Sequence, residues 1–464
     1  MDGFWDSNVW GVINIVSVLL ISILLANTLK RIIPFLRESL IPTSVLGGIF
    51  LLIISTVYEL ITDELFFNLG FFNGNGVNYL EMITYHALAL GFIATAFKPS
   101  KRKFDKERTA EIFNTGVTTV ATYLIQGIVG LAITMIAGLI MTDFFSASGI
   151  LLPFGFGQGT GQALNYGGIY ESDYGFIQGK GFGLSIAALG FLSASIGGII
   201  HMNILKKKGK IKIVHKDESA ECFSPDEIQN KDEIPMTGSV DKLSVQLGFV
   251  IGTYVLVYAV MYLLGLLLPG MKATIYGFNF LFGVLIATLI SVIHNFLRKK
   301  RVLKKQYVNE FLMKRISGFF FDIMVVAGIA AIRLEALERY WHILLILGIF
   351  GLLVTYFYNY FVAKKLFPDY TQEQFLAMYG MLTGTASTGI ILLREIDMHF
   401  ESPASDNLVY QNLPAILFGF PLMLLATIAP QNPLMVFFIM IVFFIVLNII
   451  LFRSFIFKRR KKQK

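Results

Sequence analysis

The chain has 464 residues, 55% of them apolar and only 15% charged. A soluble globular protein carries about 25% charged residues, so this composition points away from a soluble enzyme and towards a membrane-embedded chain. The net charge of +8 would suit nucleic acid, but the placement of the basic residues, given below, removes that reading.

A membrane span needs about 20 mostly apolar residues. Eleven such stretches occur, near 9–29, 41–58, 80–97, 115–142, 181–202, 243–268, 275–297, 317–333, 343–363, 409–430 and 434–455. The first has no basic segment ahead of it and no small-residue cleavage site, so it reads as a retained span rather than a signal peptide. Basic residues follow alternate spans: Lys30, Arg31 and Arg37 after the first, Lys98 to Arg108 after the third, Lys206 to Lys210 after the fifth, Arg298 to Arg301 after the seventh, and a basic C-terminus. The intervening loops carry Asp2, Asp6, Glu59, Asp63 and Glu64. This is the positive-inside pattern, with the N-terminus outside and the C-terminus in the cytoplasm. Only Lys180, Lys272, Arg333 and Arg339 fall outside, leaving 35 of the 39 basic residues on the cytoplasmic side. The excess reports topology and contact with anionic lipid.

Residues 203–242 are polar, mixed in charge and without period, and read as a cytoplasmic linker. They hold the sole cysteine, Cys222, so no intrachain disulfide framework is implied. The linker separates a first repeat, 1–202, from a second, 243–430, with 431–464 as an additional span and basic tail. Three weak matches relate the two halves. Gly48 corresponds to Gly283, Gly91 to Gly328, and Gly159-Thr160 to Gly384-Thr385, at offsets of 235, 237 and 225 residues. The first glycine segment follows a span that ends outside and the second follows one that ends inside, so the copies are inverted. Inverted repeats with interrupted segments at corresponding positions point to the binding site of a secondary transporter.

The interruptions lie near 146–168 ("PFGFGQGTGQALNYGG" at 153–168) and 371–394 ("LTGTASTG" at 382–389). Non-helical backbone at membrane depth is tolerated only inside protein or along an aqueous cavity, so both read as re-entrant hairpins whose tips meet near the midplane. The expected substrate-binding residues are Gln158, Gly159, Thr160, Gly161, Gln162, Asn165, Gly384, Thr385, Ser387 and Thr388. A half-helix starting at each tip offers unpaired N–H groups and a positive dipole end to a carboxylate. Freed carbonyls and the hydroxyls of Thr160 and Thr385 are hard oxygen ligands for Na⁺. Gly91 and Gly328 are further Na⁺ candidates if their helices open there; close packing explains them equally well. Packing of small residues is the structural alternative for the tips, but it leaves the clustering of Gln158, Gln162, Asn165 and Ser387 unexplained.

These residues resemble the bacterial glutamate:sodium symporter family. That family carries a Gly-His-Gly-Thr-Gly signature in its first re-entrant segment and a Thr-Pro-Thr-containing one in its second. Here the first reads Gly157-Gln158-Gly159-Thr160-Gly161 and the second Thr385-Ala386-Ser387-Thr388. The opening "IPTSVLGG" at 41–48 and the length of the linker also look like the family's, and the resemblance covers most of residues 9–430. It implies an all-α polytopic protein of the bacterial plasma membrane, with ten core spans plus one. It also implies a homodimer with a static scaffold and a mobile transport domain that carries both hairpins in an elevator-type motion. The substrate implied is L-glutamate, coupled to Na⁺, with no other cofactor. Gln158 in place of histidine removes a titratable group, Gln162 adds a donor and an acceptor, and Ser387 replaces a proline. With these departures a dicarboxylate or another amino acid remains the alternative small carboxylate.

Other polar residues at depth are Asp322, able to bind a cation or titrate but placed near enough to the cytoplasmic end to snorkel or pair with Arg315, His86, a proton relay or, more often for a lone histidine, a partner of a backbone carbonyl, and Gln126, which either lines the site or bonds across helices. Neither H-E-x-x-H nor G-x-S-x-G occurs, so no enzyme is indicated. A channel is the remaining alternative, but two inverted copies with unlike tips suit alternating access better than a filter repeated round one axis.

Overall fold

The computed structural model describes residues 4–5, 7–38, 41–97, 106–141, 144–209, 233–236, 240–269, 272–397 and 402–455. Cys222 lies outside them, as does most of the linker. Among the described residues every regular element is helical, and a single bridge pairs Glu233 with Gln306. The helices are α1 (Ser7–Ile32), α2 (Pro34–Glu38), α3 (Thr43–Thr62), α4 (Gly76–Ala96), α5 (Lys106–Ile140), α6 (Leu151–Gln158), α7 (Thr160–Tyr174), α8 (Gly179–Lys207), α9 (Lys242–Leu267), α10 (Lys272–Gly277), α11 (Asn279–Lys299), α12 (Glu310–Ala330), α13 (Leu334–Leu366), α14 (Thr371–Thr383), α15 (Ala386–Arg394), α16 (Ala404–Tyr410), α17 (Asn412–Ile428) and α18 (Pro433–Leu451).

Among the described residues, eight helices are long and apolar enough to cross a membrane: α1, α3, α5, α8, α9, α11, α13 and α18. Helices suit hydrocarbon because they satisfy their own backbone groups. The expected spans at 80–97 and 317–333 are the helices α4 and α12. The one at 409–430 is two pieces, α16 and α17, separated at Gln411, with Pro421 inside the second. Several helices outrun their apolar stretches. The longest, α5, has 35 residues and spans about 52 Å at 1.5 Å per residue, well beyond a hydrocarbon core of about 30 Å.

The chain packs as two compact units. One comprises Met1–Glu81, Phe104–Ile213 and Val325–Lys464, the other Met82–Lys103 and Val214–Met324. This division cuts across the two sequence halves, since each half contributes to both units.

In the smaller unit, α9 and α11 pack around Val250, Val257, Met261 and Ala287 together with Ile93, Phe97 and Met313. Asp241 caps α9 by accepting from the N–H groups of Leu243 (2.8 Å) and Ser244 (3.3 Å). Beside that cap Lys242 and Glu233 form a buried ion pair at 2.9 Å, and Asn309 donates to the same carboxylate at 2.6 Å.

In the larger unit, the backbones of α7 and α8 approach closely where Gly167 meets Gly179 and Gly183 meets Ala163. Small residues are what permit such contact between membrane helices. The C-terminal α18 lies against α5, with Met440 at Gly127. It is tied down by Asn448, which accepts from the Tyr358 hydroxyl at 3.0 Å, and by Arg453, just beyond it, which donates to Asn114 at 3.0 Å.

Candidate functional site

Both interrupted segments are helix–break–helix hairpins in the larger unit. In the first, a 3-10 turn (Ser146–Ile150) leads into α6, and the chain breaks at Gly159 before α7. Phe154 stacks on Tyr166 at 4.2 Å between ring centroids, a pairing centred on residue 160 that shows the two arms folded back together. In the second, α14 ends at Thr383 and α15 starts at Ala386. A side chain on Gly380 would meet Gly389 at 2.8 Å, so these arms also lie side by side, about a turn at 384–385.

The breaks have local causes. Gly159 adopts φ 79°, ψ −168°, a region open essentially to glycine alone. Gly384 is pressed from the side, because an added Cβ would lie 2.8 Å from the Thr388 hydroxyl and 3.0 Å from the Phe191 ring. After each break the helix begins without a side-chain cap from its N-cap residue, Gly159 in α7 and Thr385 in α15. The N–H groups of a first helical turn have no intrahelical acceptor, so two positive helix ends begin at the breaks.

One helix lies along both hairpins. On α8, Gly190 faces Phe156 of the first hairpin and the carbonyl of Thr383 in the second, which an added Cβ would approach to 2.6 Å. Seven residues on, Gly197 faces Tyr379, and Gly198 faces Leu392. Gly190 thus lies between the arms that lead into the two breaks.

A second helix grips both. On α5, the Tyr123 hydroxyl donates to the Gly157 carbonyl at 3.1 Å, and Gln126 donates through Nε2 to the Leu382 carbonyl and the Thr355 hydroxyl, each at 2.8 Å. Residues three apart share a helix face, so one side of α5 holds the ends of α6 and α14 in a fixed relation.

No family model and no curated protein matches the chain.

The expected site residues distribute as follows. Gly159, Thr160, Gly161, Gln162, Gly384 and Thr388 are buried, while Gln158, Asn165 and Thr385 are partly exposed. The hydroxyls of Thr385 and Thr388 lie 3.4 Å apart. Ser387 falls in the first turn of α15 and its side chain lies outside the described residues. Gln162 is 1% exposed, and both polar atoms of its amide are buried without a hydrogen-bond partner. Leaving a polar group so costs about 1–3 kcal/mol, which marks a place where a ligand or water belongs.

Gly328 touches the first break directly, since a Cβ there would overlap Thr160. Gly91 lies in the other unit, where Phe321 covers it at 2.8 Å and its carbonyl accepts from the Thr95 hydroxyl at 3.0 Å. Helix α4 is unbroken at Gly91 and α12 at Gly328.

His86 bonds the Tyr254 hydroxyl at 2.7 Å, not a backbone carbonyl. Asp322 is exposed on its helix, and Arg315 lies over the Phe311 ring. Among the described residues no group of three or more His, Cys, Asp or Glu converges as a metal site.

Sequence reasoning passed over Tyr123, Gly190 and Thr355. A signal for the gripping helix was present: Thr115, Thr118, Thr119, Thr122 and Gln126 recur at helical spacing, and all five are buried on α5. None of the side chains found here at or against the breaks is charged. The arrangement can therefore hold a small anion by helix ends and amides, and a cation by neutral oxygens.

Proposed function

We propose that the protein is a Na⁺-coupled secondary transporter that imports a small carboxylate, glutamate or a related compound. The observation that carries this reading is that two helix breaks without side-chain caps, at Gly159 and Gly384-Thr385, belong to hairpins whose first arms both pack against Gly190 of α8. Such breaks at membrane depth place positive helix ends and freed carbonyls where substrate and ion bind, and in hydrocarbon they would otherwise be costly. The orphaned amide of Gln162 beside the first break supports the presence of a ligand.

Inverted repeats are part of the proposal. Gly48 packs on Ile329, with an added Cβ at 2.8 Å, and Gly283 packs on Ile93 at 2.7 Å. The members of one pair lie 235 and 236 residues from those of the other, with their order exchanged, as duplication with inversion requires. Both hairpins belonging to one compact unit favours a carrier domain that moves as a body against a scaffold, in a homodimer of the bacterial plasma membrane. The eleventh span, α18, joins the hairpin-bearing unit.

The test is uptake into proteoliposomes across an imposed Na⁺ gradient, screening glutamate, aspartate, neutral amino acids and dicarboxylates. One small carboxylate should accumulate only with inward-directed Na⁺. Accumulation that ignores Na⁺ and follows a proton gradient would overturn the coupling, and conductance that merely dissipates gradients would favour a channel.

A further inference from the structure

Helix α11 has 21 residues, from Asn279 to Lys299. At 1.5 Å per residue it spans about 31 Å, close to the hydrocarbon thickness of about 30 Å, so its last turn reaches headgroup depth. Leu285, Leu289, Val292, Ile293 and Phe296 are all exposed. Their spacing of three and four residues puts them on one face. From Leu285 to Phe296 that face is about 16 Å long, the depth of one leaflet's hydrocarbon. Lys299 and Lys300 continue it, and the ammonium of Lys300 lies 5.8 Å from the centre of the Phe296 ring. An apolar stripe as long as an acyl chain thus ends in cations.

The positive charge extends into the loop that follows. Lys299, Lys300, Arg301, Lys304 and Lys305 are all exposed, and Glu310 is the first carboxylate after them. Among the described residues none of these five cations is in an ion pair, whereas Arg108, Lys180 and Lys242 each are. Val302 stands among them, 67% exposed. An apolar side chain between cations suits the boundary of headgroups and acyl chains.

The loop is held in shape from beneath. Arg298 donates to the Gln306 side chain at 2.9 Å, and the Gln306 carbonyl accepts from the Ile234 N–H at 3.1 Å. Gln246 donates to the Tyr307 carbonyl and accepts from the Asn309 N–H, each at 2.9 Å. Gln246, Gln306 and Asn309 are buried. Arg301 adopts φ 58°, a conformation open to glycine without cost that the chain fills with a cation instead.

We propose that the end of α11 and the loop to residue 305 bind an anionic phospholipid of the cytoplasmic leaflet, with its phosphate among the five cations and an acyl chain along the stripe from Phe296 to Leu285. Charge alone would suit any polyanion. The stripe selects lipid, because a soluble anion leaves it uncovered. Basic residues just inside a membrane helix attract anionic lipid by about fivefold each. The inference goes beyond the transport reading and is tested without substrate. It gives the smaller unit, which carries neither hairpin break, an anchor in one leaflet.

The test uses the purified full-length protein, stripped of lipid in detergent. It is titrated with phosphatidylglycerol or phosphatidylcholine of identical acyl chains, and bound lipid is counted by native mass spectrometry, with ammonium acetate setting the ionic strength. Wild type should bind the first phosphatidylglycerol at least tenfold more tightly than phosphatidylcholine, and the preference should shrink as ionic strength rises. Replacing Lys299, Lys300, Lys304 and Lys305 by glutamine should lower the preference at least tenfold. Replacing Lys458, Arg459, Arg460 and Lys461 of the tail, an equal loss of charge, should lower it less than threefold. If the fourfold loop variant fails to fold, Lys304→Gln with Lys305→Gln should still lower the preference at least fivefold.

An unchanged preference in the loop variants would overturn the site, and so would an equal loss in the tail variant, since net charge would then be the cause. Displacement of the lipid by millimolar glycerol phosphate at constant ionic strength would show a free-anion site and remove the acyl contact. Loop variants that keep the lipid preference and run as a smaller particle would assign the face to a second copy of the chain.

Discussion

Gly159 and Gly328 make the first break possible in different ways, and substitution should separate them. Gly159→Ala forces a side chain into the glycine-only region, at about 1–3 kcal/mol, and should lower thermal stability and uptake together. Gly328→Ala drives a methyl into buried Thr160, so the first break must shift, and the variant should lose about 1–3 kcal/mol of stability and also raise the half-saturating substrate concentration. Gly248, in α9 with open space beside it, is the control, and Gly248→Ala should leave transport unchanged and stabilise by about 0.5–1 kcal/mol. A Gly328→Ala variant that transports like Gly248→Ala would show that the Thr160 contact is idle. Gln162→Leu should divide stability from function. It relieves two orphaned amide atoms and should raise the melting midpoint, and it should weaken transport by removing the group that meets the ligand.

The breaks were legible in the sequence because Gly159 and Gly384 interrupt runs otherwise apolar enough to continue, and the polar residues beside them had no reason to be there. Their partners were not legible. Tyr123 reaches a carbonyl 34 residues away and Gln126 one 256 residues away, and no periodicity reports which helices meet. Helix extents were also under-read. Lys106 to Asn114 are too polar to look like a span, yet once α5 is formed its continuation beyond the hydrocarbon costs little. The separation at Gln411 had a signal in Gln411-Asn412 and Pro414, which the apolar average of the stretch outweighed. The eleventh span read as an addition, but α18 covers the back of the helix that grips both breaks. Truncation before Pro433 should therefore destabilise the hairpins. Loss of the Tyr358–Asn448 and Asn114–Arg453 bonds alone removes about 1 kcal/mol each. The truncated chain should insert normally, melt earlier in detergent and lose Na⁺-driven uptake. Undiminished uptake would make α18 dispensable.

The orientation of the whole chain has its own test in Cys222, the single thiol of the sequence. An impermeant maleimide should label it only after the membrane is opened, and labelling of intact cells would invert the topology and both hairpin assignments. A last consequence follows from the neutrality of the groups around the breaks. Each elementary charge carried across a membrane feels about 2.3 kcal/mol per 100 mV, and here Tyr123, Gln126, Thr160, Gln162, Thr355 and Thr385 contribute none. Membrane voltage can then act at this site only on its cargo. The empty carrier should return at a rate indifferent to potential, and the loaded step should follow the summed charge of Na⁺ and substrate. Capacitive currents recorded from proteoliposomes on a solid support should vanish when both are withheld. A displacement current that persists without either would reveal a fixed charge travelling with the site.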